Sequence, residues 1–330
     1  MDFFLIAVST KHNLELCKRH ALAGFPSTEN GAWAFSDIRV GDFLSFLYGA
    51  QVHNFYRVKR KVAIVSRDQT ILPPWPPLTF RETGRTVDFP FRLELEPLRE
   101  FIQSIAKTEF SYVSESLLCR GGYWKTHFQA DQTTLGAVAS MGKPATTVAP
   151  ELDLPPHEEF QPLFARTVKG QPPRVFRLRE ILIQSLARQK LKDPAIQAAL
   201  YAGSPSQNGS HPTLEVLGEK GIPEGLIDIL LKDPHPTDQL REWILEVKVH
   251  RPARADVAQL VHYVEVLGPD CIGAALIAPE FPSSRTLRPP SVQFVRYDFG
   301  GLDIGSPHTF AELEGHFRLE VETASQRRLG

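Results

Sequence analysis

A proline-rich stretch from residue 144 to residue 173 constrains the fold of this chain more than any other feature of its sequence. The stretch reads PATTVAPELDLPPHEEFQPLFARTVKGQPP. Proline lacks a backbone N–H and fixes φ, so this stretch cannot form a continuous helix or a central strand. The sequence therefore predicts two folded domains, residues 1–143 and 174–330, joined by a linker of residues 144–173. A length of 330 residues fits two domains.

Composition and charge narrow the class of protein. Hydrophobic residues make up 42% of the chain, which is enough to build real cores. The net charge of −1 gives no support for nucleic-acid binding by the chain as a whole, so that function depends on local patches. Cys17, Cys119 and Cys271 lack metal-ligand spacing and indicate reduced thiols of a cytoplasmic protein. No apolar stretch of the sequence is long enough for a bilayer, so we expect no membrane partner.

The first region is predicted to be mainly β, with short helices. Strands are expected at residues 3–8, 43–49 and 56–66, and a short helix at residues 14–20. The segment FPFRLELEPL alternates, with Phe91, Leu93 and Leu95 on one face and Arg92, Glu94 and Glu96 on the other. Several strands with short helices between them indicate a small, partly open β-barrel.

The second region is predicted to be an α/β core with a central mixed sheet. Its expected elements are helices at residues 177–192 and 256–267, and strands at residues 214–220, 225–232, 243–250, 271–278 and 291–299. A Gly/Ser/Pro/Asn loop is expected at residues 203–212. A helix, antiparallel strands, a second helix and a further strand form an α/β plan.

Three charged residues stand out on the predicted strands of the second region. Side chains alternate along a strand, so Glu246 and Lys248 share one face, while Leu245 and Val247 point to the other. Asp228 stands among apolar neighbours in GLIDILL. A charge in an apolar strand is costly unless it is paired or binds a metal. The three residues therefore define a candidate catalytic site.

This trio suits metal-dependent phosphodiester hydrolysis. Two carboxylates and several waters can hold Mg²⁺, with Mn²⁺ able to substitute, and the ion acidifies a water and neutralises phosphate charge. Lys248 could position the water and stabilise the transition state. Gln259 and Tyr263, four residues apart on the following helix, share one face and add a second layer. Arg251 and Arg254 are candidates for contacts with the DNA backbone.

The order of these residues resembles the PD-(D/E)XK nuclease superfamily over residues 177–279. Asp228 matches the acid of its first motif, and Glu246-Val247-Lys248 matches its E-x-K. Gln259-x-x-x-Tyr263 matches the motif of the RecB-type subset. Gly-x-x-Asp replaces the Pro-Asp of the usual pattern. The resemblance implies catalytic roles for these five residues, with the ion held by Asp228 and Glu246.

The same resemblance implies one more acid on the first helix. Glu180 is the candidate for this catalytic and metal-binding role, because it is the only acid between Arg166 and Lys192. The alternative for Glu180 is a charge on the helix surface. An isolated E-x-K is likewise most often a solvated surface pair, and it gains weight here only from the ordered set of motifs.

The first region resembles EVE domains, which belong to the PUA-like group and are related to YTH domains. The resemblance lies in FFLIAVSTKHNLELCKRHALAGFPST, in IRVGDFLSFLYG and in RVKRKVAIV, within about the first 100 residues. Residues 110–136 fall outside it. The resemblance implies a PUA-like domain that binds a modified base or nucleotide in an aromatic cage.

A flipped base needs flat apolar walls and a few polar groups for its edge. Trp33, Trp75 and Phe25 are the candidate walls of a modified-base pocket, and Ser9 and Asn13 are candidates to read the edge. The alternative for each aromatic residue is an ordinary core position.

A basic cluster in the first region is a second candidate for contacts with the DNA backbone. Its members are Arg57, Lys59, Arg60 and Lys61. Clusters of charge are most often solvated faces, and this alternative stays open.

Together these features predict a modification-dependent DNA endonuclease of the restriction type. One domain would flip a modified base of double-stranded DNA, and the other would cut nearby with Mg²⁺. Each core has one site, so double-strand cutting favours a homodimer. A repair nuclease acting on mismatched or branched DNA, and a non-catalytic nucleic-acid-binding protein, are the two alternatives.

Overall fold

The structure is a computed structural model that describes most of the chain in two compact units. The described residues are 1–49, 51–64, 75–79, 84, 86–102, 105–106, 126–146, 152, 154, 158–167, 170–202, 213–235, 240–281 and 289–322. The first unit contains the described residues up to Arg177 together with Gly305–Phe310, and the second contains the described remainder. Cys119, the loop predicted at residues 203–212 and the end of the strand predicted at residues 56–66 lie outside the described residues.

The strands and helices are numbered in chain order. The strands are β1 (Phe3–Ala7), β2 (Leu22–Phe25), β3 (Phe43–Tyr48), β4 (Gln51–Ala63), β5 (Leu78–Thr79), β6 (Thr86–Val87), β7 (Phe91–Glu100), β8 (Ile105–Ala106), β9 (His127–Ala130), β10 (Lys143–Pro144), β11 (Leu163–Ala165), β12 (Val175–Arg177), β13 (Glu215–Ile222), β14 (Gly225–Lys232), β15 (Glu242–Val247), β16 (Cys271–Ala278), β17 (Val292–Asp298), β18 (His308–Thr309) and β19 (Arg318–Val321). The helices are α1 (Lys11–His20), α2 (Glu29–Asp37), α3 (Gln132–Ser140), α4 (Glu180–Leu191), α5 (Pro194–Ala202), α6 (Arg254–Leu267) and α7 (Phe310–His316).

The first unit is built on one large mixed sheet of order β10-β7-β4-β3-β1-β9, with β2 also on β7 and β8 also on β4. Strands β1 and β3 are parallel, and β3, β4 and β7 follow one another antiparallel. Short strands β12-β11-β18 form a second sheet, so part of the proline-rich stretch is a strand. The predicted α/β and β class is confirmed. The pairings of the described strands leave each sheet open, and none closes into a barrel.

The alternation predicted for β7 holds only in part. Phe91, Leu93 and Leu95 are buried and Glu96 is exposed, as predicted, but Arg92 is only 1% exposed. At this end β7 is flanked by β2 and β4 together, since Arg92 lies opposite Gly24 on one side and Val62 on the other. The Arg92 guanidinium donates to the carbonyl of Phe89 at 3.3 Å, which offsets part of the cost of its burial.

The second unit contains a central mixed sheet of order β13-β14-β15-β16-β17-β19. Neighbours from β13 to β15 are antiparallel, β15, β16 and β17 are parallel, and β19 returns antiparallel. Helix α4 packs on β13, β14 and β15, and α6 packs on β15 and β16. Both helices therefore contact β15. In the described part of the chain, no helix is long and apolar enough to cross a membrane.

Two boundaries beside this strand end differ from the sequence prediction. Strand β15 ends at Val247, three residues before the predicted end, although the Lys248 N–H still donates to the carbonyl of Ile277 at 2.9 Å. Helix α6 begins at Arg254, two residues early, because the Asp256 carboxylate accepts from the Ala253 N–H at 2.7 Å and caps the first turn.

Candidate active site

Asp228 and Glu246 face each other across two antiparallel strands. Strand β14 pairs with β15 so that Ile229 lies opposite Leu245, and one step along this register places Asp228 opposite Glu246. Both carboxylates are buried, with 6% and 4% of the residue exposed. The structure therefore brings together the two acids that the sequence placed on separate strands.

The backbone of β15 holds the Asp228 carboxylate in place. Its Oδ2 accepts a hydrogen bond from the Val247 N–H at 2.8 Å. Burial, and then the charge of Glu246, raise the pKa of Asp228 well above its usual value of 3.8. Burial also raises the pKa of Glu246. Two buried acids that oppose each other's ionisation favour a nearby cation.

The Lys248 ammonium lies among three carboxylates. Its Nζ is 2.7 Å from Glu246 Oε1, 3.7 Å from Glu180 Oε1 and 3.9 Å from Asp256 Oδ1. Burial alone would lower the pKa of Lys248, but the hydrogen bond to Glu246 and the surrounding negative charges outweigh burial and raise it. Lys248 is therefore charged at neutral pH and can stabilise an anion, whereas it is a poor general base.

The donor atoms of the site fit a hard divalent ion. Glu246 Oε2 is buried and has no hydrogen-bond partner among the described residues. Mg²⁺ binds carboxylate oxygens, often only one or two of them, and keeps several waters. The described residues contain no group of three His, Cys, Asp or Glu side chains arranged to hold an ion, so Asp228, Glu246 and Glu180 do not form such a group. Asp228 and Glu246 are thus the residues that could hold it, with the more exposed Glu180 nearby.

Gln259 and Tyr263 lie on α6 and connect this helix to the start of β14. The Gln259 side chain donates to Tyr263 Oη at 2.6 Å, and Tyr263 is 2% exposed. A Cβ added to Gly225 would lie 2.1 Å from Tyr263 Oη. Glycine is therefore required where the tyrosine meets the strand, three residues before Asp228. This contact gives a physical reason for the glycine of the Gly-x-x-Asp pattern.

Sequence reasoning missed Asp256 as a member of the site. The residue was interpreted as the first of a helix, whereas it is the third residue of α6 and caps its first turn. The usual start signal pairs a Ser, Thr, Asp or Asn at the N-cap with an acid three residues later. The N-cap here is Ala253, which has no capping side chain, so the sequence carries only the second half of that signal.

The three aromatic candidates for the base pocket are core residues in the structure. Trp33, Trp75 and Phe25 are 5%, 4% and 1% exposed. The Trp33 ring is 4.4 Å from the His127 ring, and Trp75 Nε1 donates to Cys17 Sγ at 3.3 Å. These three aromatic side chains therefore pack as ordinary core residues in this structure. Ser9 is exposed, and Asn13 Nδ2 donates to its hydroxyl at 3.3 Å.

Most of the basic cluster on β4 is paired with acids of β7. The ion pairs are Arg57–Glu96 at 3.5 Å, Lys59–Glu94 at 3.0 Å and Arg60–Glu94 at 2.8 Å. Two acids therefore compensate part of the positive charge of these three predicted contacts to DNA phosphates. In the second unit, Arg251 and Arg254 are both exposed.

Lys61, the remaining predicted contact to the DNA backbone, makes its contacts within the first unit in this structure. Its Nζ donates to the carbonyl of Ile38 at 2.8 Å and lies 4.5 Å from the centre of the Phe35 ring. Burial, offset in part by Glu158 and Asp37, lowers the pKa of Lys61 to about 8. The ammonium lies beside α2, because a register irregularity between Val58 and Arg60 interrupts the alternation of β4 before Lys61.

Comparison with known proteins adds little to this description. No protein-family model and no curated protein matches the chain. Among solved structures it is similar to the MspJI restriction endonuclease in complex with a 27-mer oligonucleotide, at 13% sequence identity and a TM-score of 0.22. The match covers 94% of this chain and 66% of that chain, slightly under two thirds of its length. A TM-score this low does not define a common fold.

Proposed function

We propose that the second unit is a Mg²⁺-dependent endodeoxyribonuclease whose catalytic residues are Asp228, Glu246 and Lys248. One observation carries this proposal: two buried carboxylates oppose each other on neighbouring strands, with one oxygen unbonded and an ammonium group 2.7 Å away. Burying two acids together is costly unless a cation compensates them. Lys248 supplies one positive charge, and a divalent ion would supply the remainder.

The proposed roles follow from the geometry of each side chain. Asp228 and Glu246 would hold the ion, which when bound lowers the pKa of a water and neutralises charge on the scissile phosphate. Lys248 remains charged and would stabilise the anionic phosphate oxygens. Glu180, with 37% of its side chain exposed and its Oε1 3.7 Å from Lys248 Nζ, would be a further ligand of the ion.

Gln259 and Tyr263 would act in this mechanism through the backbone of β14. Their hydrogen bond and the contact of Tyr263 with Gly225 fix the start of the strand that carries Asp228. Catalysis is sensitive to the placement of reacting groups at the scale of an ångström. Both residues are therefore proposed to position the centre.

The substrate proposed for this centre is double-stranded DNA that carries a modified base. The resemblance of about the first 100 residues to EVE domains supports base recognition by the first unit, with flipping of the base into that unit. Arg251 and Arg254, both exposed beside the centre, would contact backbone phosphates. A chain with a single centre would cut both strands as a homodimer.

The burial of Trp33, Trp75 and Phe25 favours a second candidate function. Rings packed in a core cannot stack on a base unless the first unit rearranges. A nuclease that recognises DNA structure, such as a mismatch or a branch, would not need that rearrangement. Branched, mismatched and modified duplexes of one sequence separate the two candidates.

The proposal is tested by cleavage of one DNA sequence prepared with and without modified cytosine or adenine, in Mg²⁺ and in a chelator. We expect cleavage of modified DNA in Mg²⁺ and none by Glu246→Gln. Equal cleavage of modified and unmodified duplexes would remove the base-recognition role. Full activity of Glu246→Gln, or activity in the chelator, would contradict the proposed centre.

A further inference from the structure

Lys248 lies immediately beyond the regular part of its strand. Its backbone N–H makes a last contact with Ile277, and residues 248–253 form neither helix nor strand. The four-carbon stem of a lysine is flexible, so strand geometry alone does not fix the ammonium. Its place is set by the carboxylates around it.

Among those carboxylates, Asp256 is itself held by the backbone. Its Oδ2 accepts from the Ala253 N–H at 2.7 Å, and its Oδ1 lies 3.9 Å from Lys248 Nζ. The hydrogen bond from Ala253 already fixes the side chain of Asp256. The contact between Asp256 and Lys248 therefore costs little further conformational entropy of Asp256. Glu246 and Glu180, the two closer partners, are the residues expected to share their charge with an ion.

We propose that Asp256 is a positioning residue, which fixes the ammonium of Lys248 relative to the first turn of α6. The inference rests on the proposed nuclease function. Asp256 then has a role beyond that of a helix cap. Its helix also carries Gln259 and Tyr263, and Tyr263 contacts the start of β14, so Asp256 connects Lys248 to that strand through α6. If Glu246 binds an ion, its interaction with Lys248 weakens, and Asp256 would then keep the ammonium of Lys248 close to Asp228 and Glu246.

Three variants separate the two roles of this carboxylate. Asp256→Asn keeps an oxygen that can cap α6 and removes the charge, whereas Asp256→Ala removes both. Asp256→Glu keeps the charge and serves as the conservative variant if Asp256→Asn folds poorly. Glu265→Gln removes one charge from an exposed position of the same helix and is the matched control.

We expect Asp256→Asn to lower kcat on modified DNA about tenfold, with KM near that of the wild type and a melting temperature lowered only by the loss of the contact with Lys248. Asp256→Ala is expected to lower the melting temperature as well, and Asp256→Glu to retain more activity than Asp256→Asn. Glu265→Gln should match the wild type. Wild-type kcat in Asp256→Asn would show that the residue only caps the helix and would overturn the proposal.

A double-mutant cycle of Asp256→Asn with Lys248→Met, measured by urea unfolding without metal, tests the contact independently of cleavage. Positioning predicts that the two changes are not additive, because removing the lysine removes the partner of Asp256. Additive effects would overturn the proposal. If the wild type cleaves no DNA, the proposed function fails, while this cycle still decides whether Asp256 fixes Lys248.

Discussion

The carboxylate of Asp228 is bonded to the backbone N–H of Val247 at 2.8 Å, across β14 and β15. Val247 lies between Glu246 and Lys248 in the chain, so this one hydrogen bond holds Asp228 beside Glu246 and Lys248. The placement of the centre therefore depends on strand register more than on side-chain packing. A register shift of one residue would turn these side chains to the other face of the sheet.

The first prediction concerns the cost of two opposed acids. Asp228→Asn keeps an oxygen for the Val247 N–H and removes one buried charge, so we expect a higher melting temperature without metal. The gain should be ~1.4 kcal/mol for each unit by which burial raises the pKa. The variant should also lose cleavage. Thermal unfolding with and without Mg²⁺ checks this, since the ion should stabilise the wild type and not the variant.

The sign of that effect can be checked by its pH dependence. A carboxyl whose pKa is raised on folding stabilises the protein at low pH, and this contribution is lost as pH rises from 3.8 through the raised pKa. The advantage of Asp228→Asn should therefore grow between acidic and neutral pH. If the stability difference between Asp228→Asn and the wild type is equal at acidic and neutral pH, ionisation of Asp228 does not destabilise the fold.

The second prediction concerns the ammonium of Lys248. Lys248→Met keeps the apolar stem and removes the charge, so we expect kcat to fall on the order of 100-fold or more, with DNA binding little changed. Quantitative cleavage and a separate binding assay in Ca²⁺ measure the two effects. Lys190→Met, on α4, is the control and should cut normally. A change in KM alone would indicate a role in substrate binding.

The third prediction concerns the close contact of Gly225 with Tyr263. Gly225→Ala places a methyl group 2.1 Å from Tyr263 Oη, so we expect a loss of about 1–3 kcal/mol of stability and a large loss of activity. Tyr263→Phe removes the clashing oxygen. The double variant should therefore recover part of the stability, as measured by urea unfolding. Equal stability of Gly225→Ala alone and of the double variant would contradict this contact.

The fourth prediction concerns the interior ammonium of Lys61. Its folded-state pKa of about 8 lies below the usual 10.5, so the charged form destabilises the fold below pH 8 and this cost disappears as pH rises to 10.5. We expect Lys61→Met to be at its most favourable relative to the wild type near pH 7, and less so at pH 10. Unfolding at both pH values measures this. DNA affinity should not change, and a marked loss would restore Lys61 as a phosphate contact.

Much of the second unit could be predicted from the sequence, because its periodicity is strong. Strand β14 has the predicted bounds, Gly225–Lys232, and so does β16, Cys271–Ala278. The two acids could be paired because a lone charge in an apolar strand requires a partner. What could not be predicted was the end of β15, since Lys248 and Val249 continue an alternating pattern that the backbone does not follow.

The first unit was harder to predict, because the sequence does not distinguish an aromatic residue of the core from one that lines a binding pocket. Trp75 lies among prolines in the segment LPPWPP, yet its ring packs on Gly24 and its indole donates a hydrogen bond to Cys17. Lys61 belongs to a run of basic residues and lies two positions after Lys59, which pairs with Glu94, so regular alternation would put both on one face. A register irregularity between Val58 and Arg60 interrupts that alternation. Both outcomes depend on tertiary neighbours that a local pattern does not contain.

Binding of Mn²⁺ to the metal-free protein, measured by electron paramagnetic resonance, tests the central claim most directly. We expect one ion per chain in the wild type, in competition with Mg²⁺, and strongly weakened binding in both Asp228→Asn and Glu246→Gln. A Glu265→Gln control should bind as the wild type does. Undiminished binding in both site variants would contradict the claim that these two opposed carboxylates hold the catalytic ion.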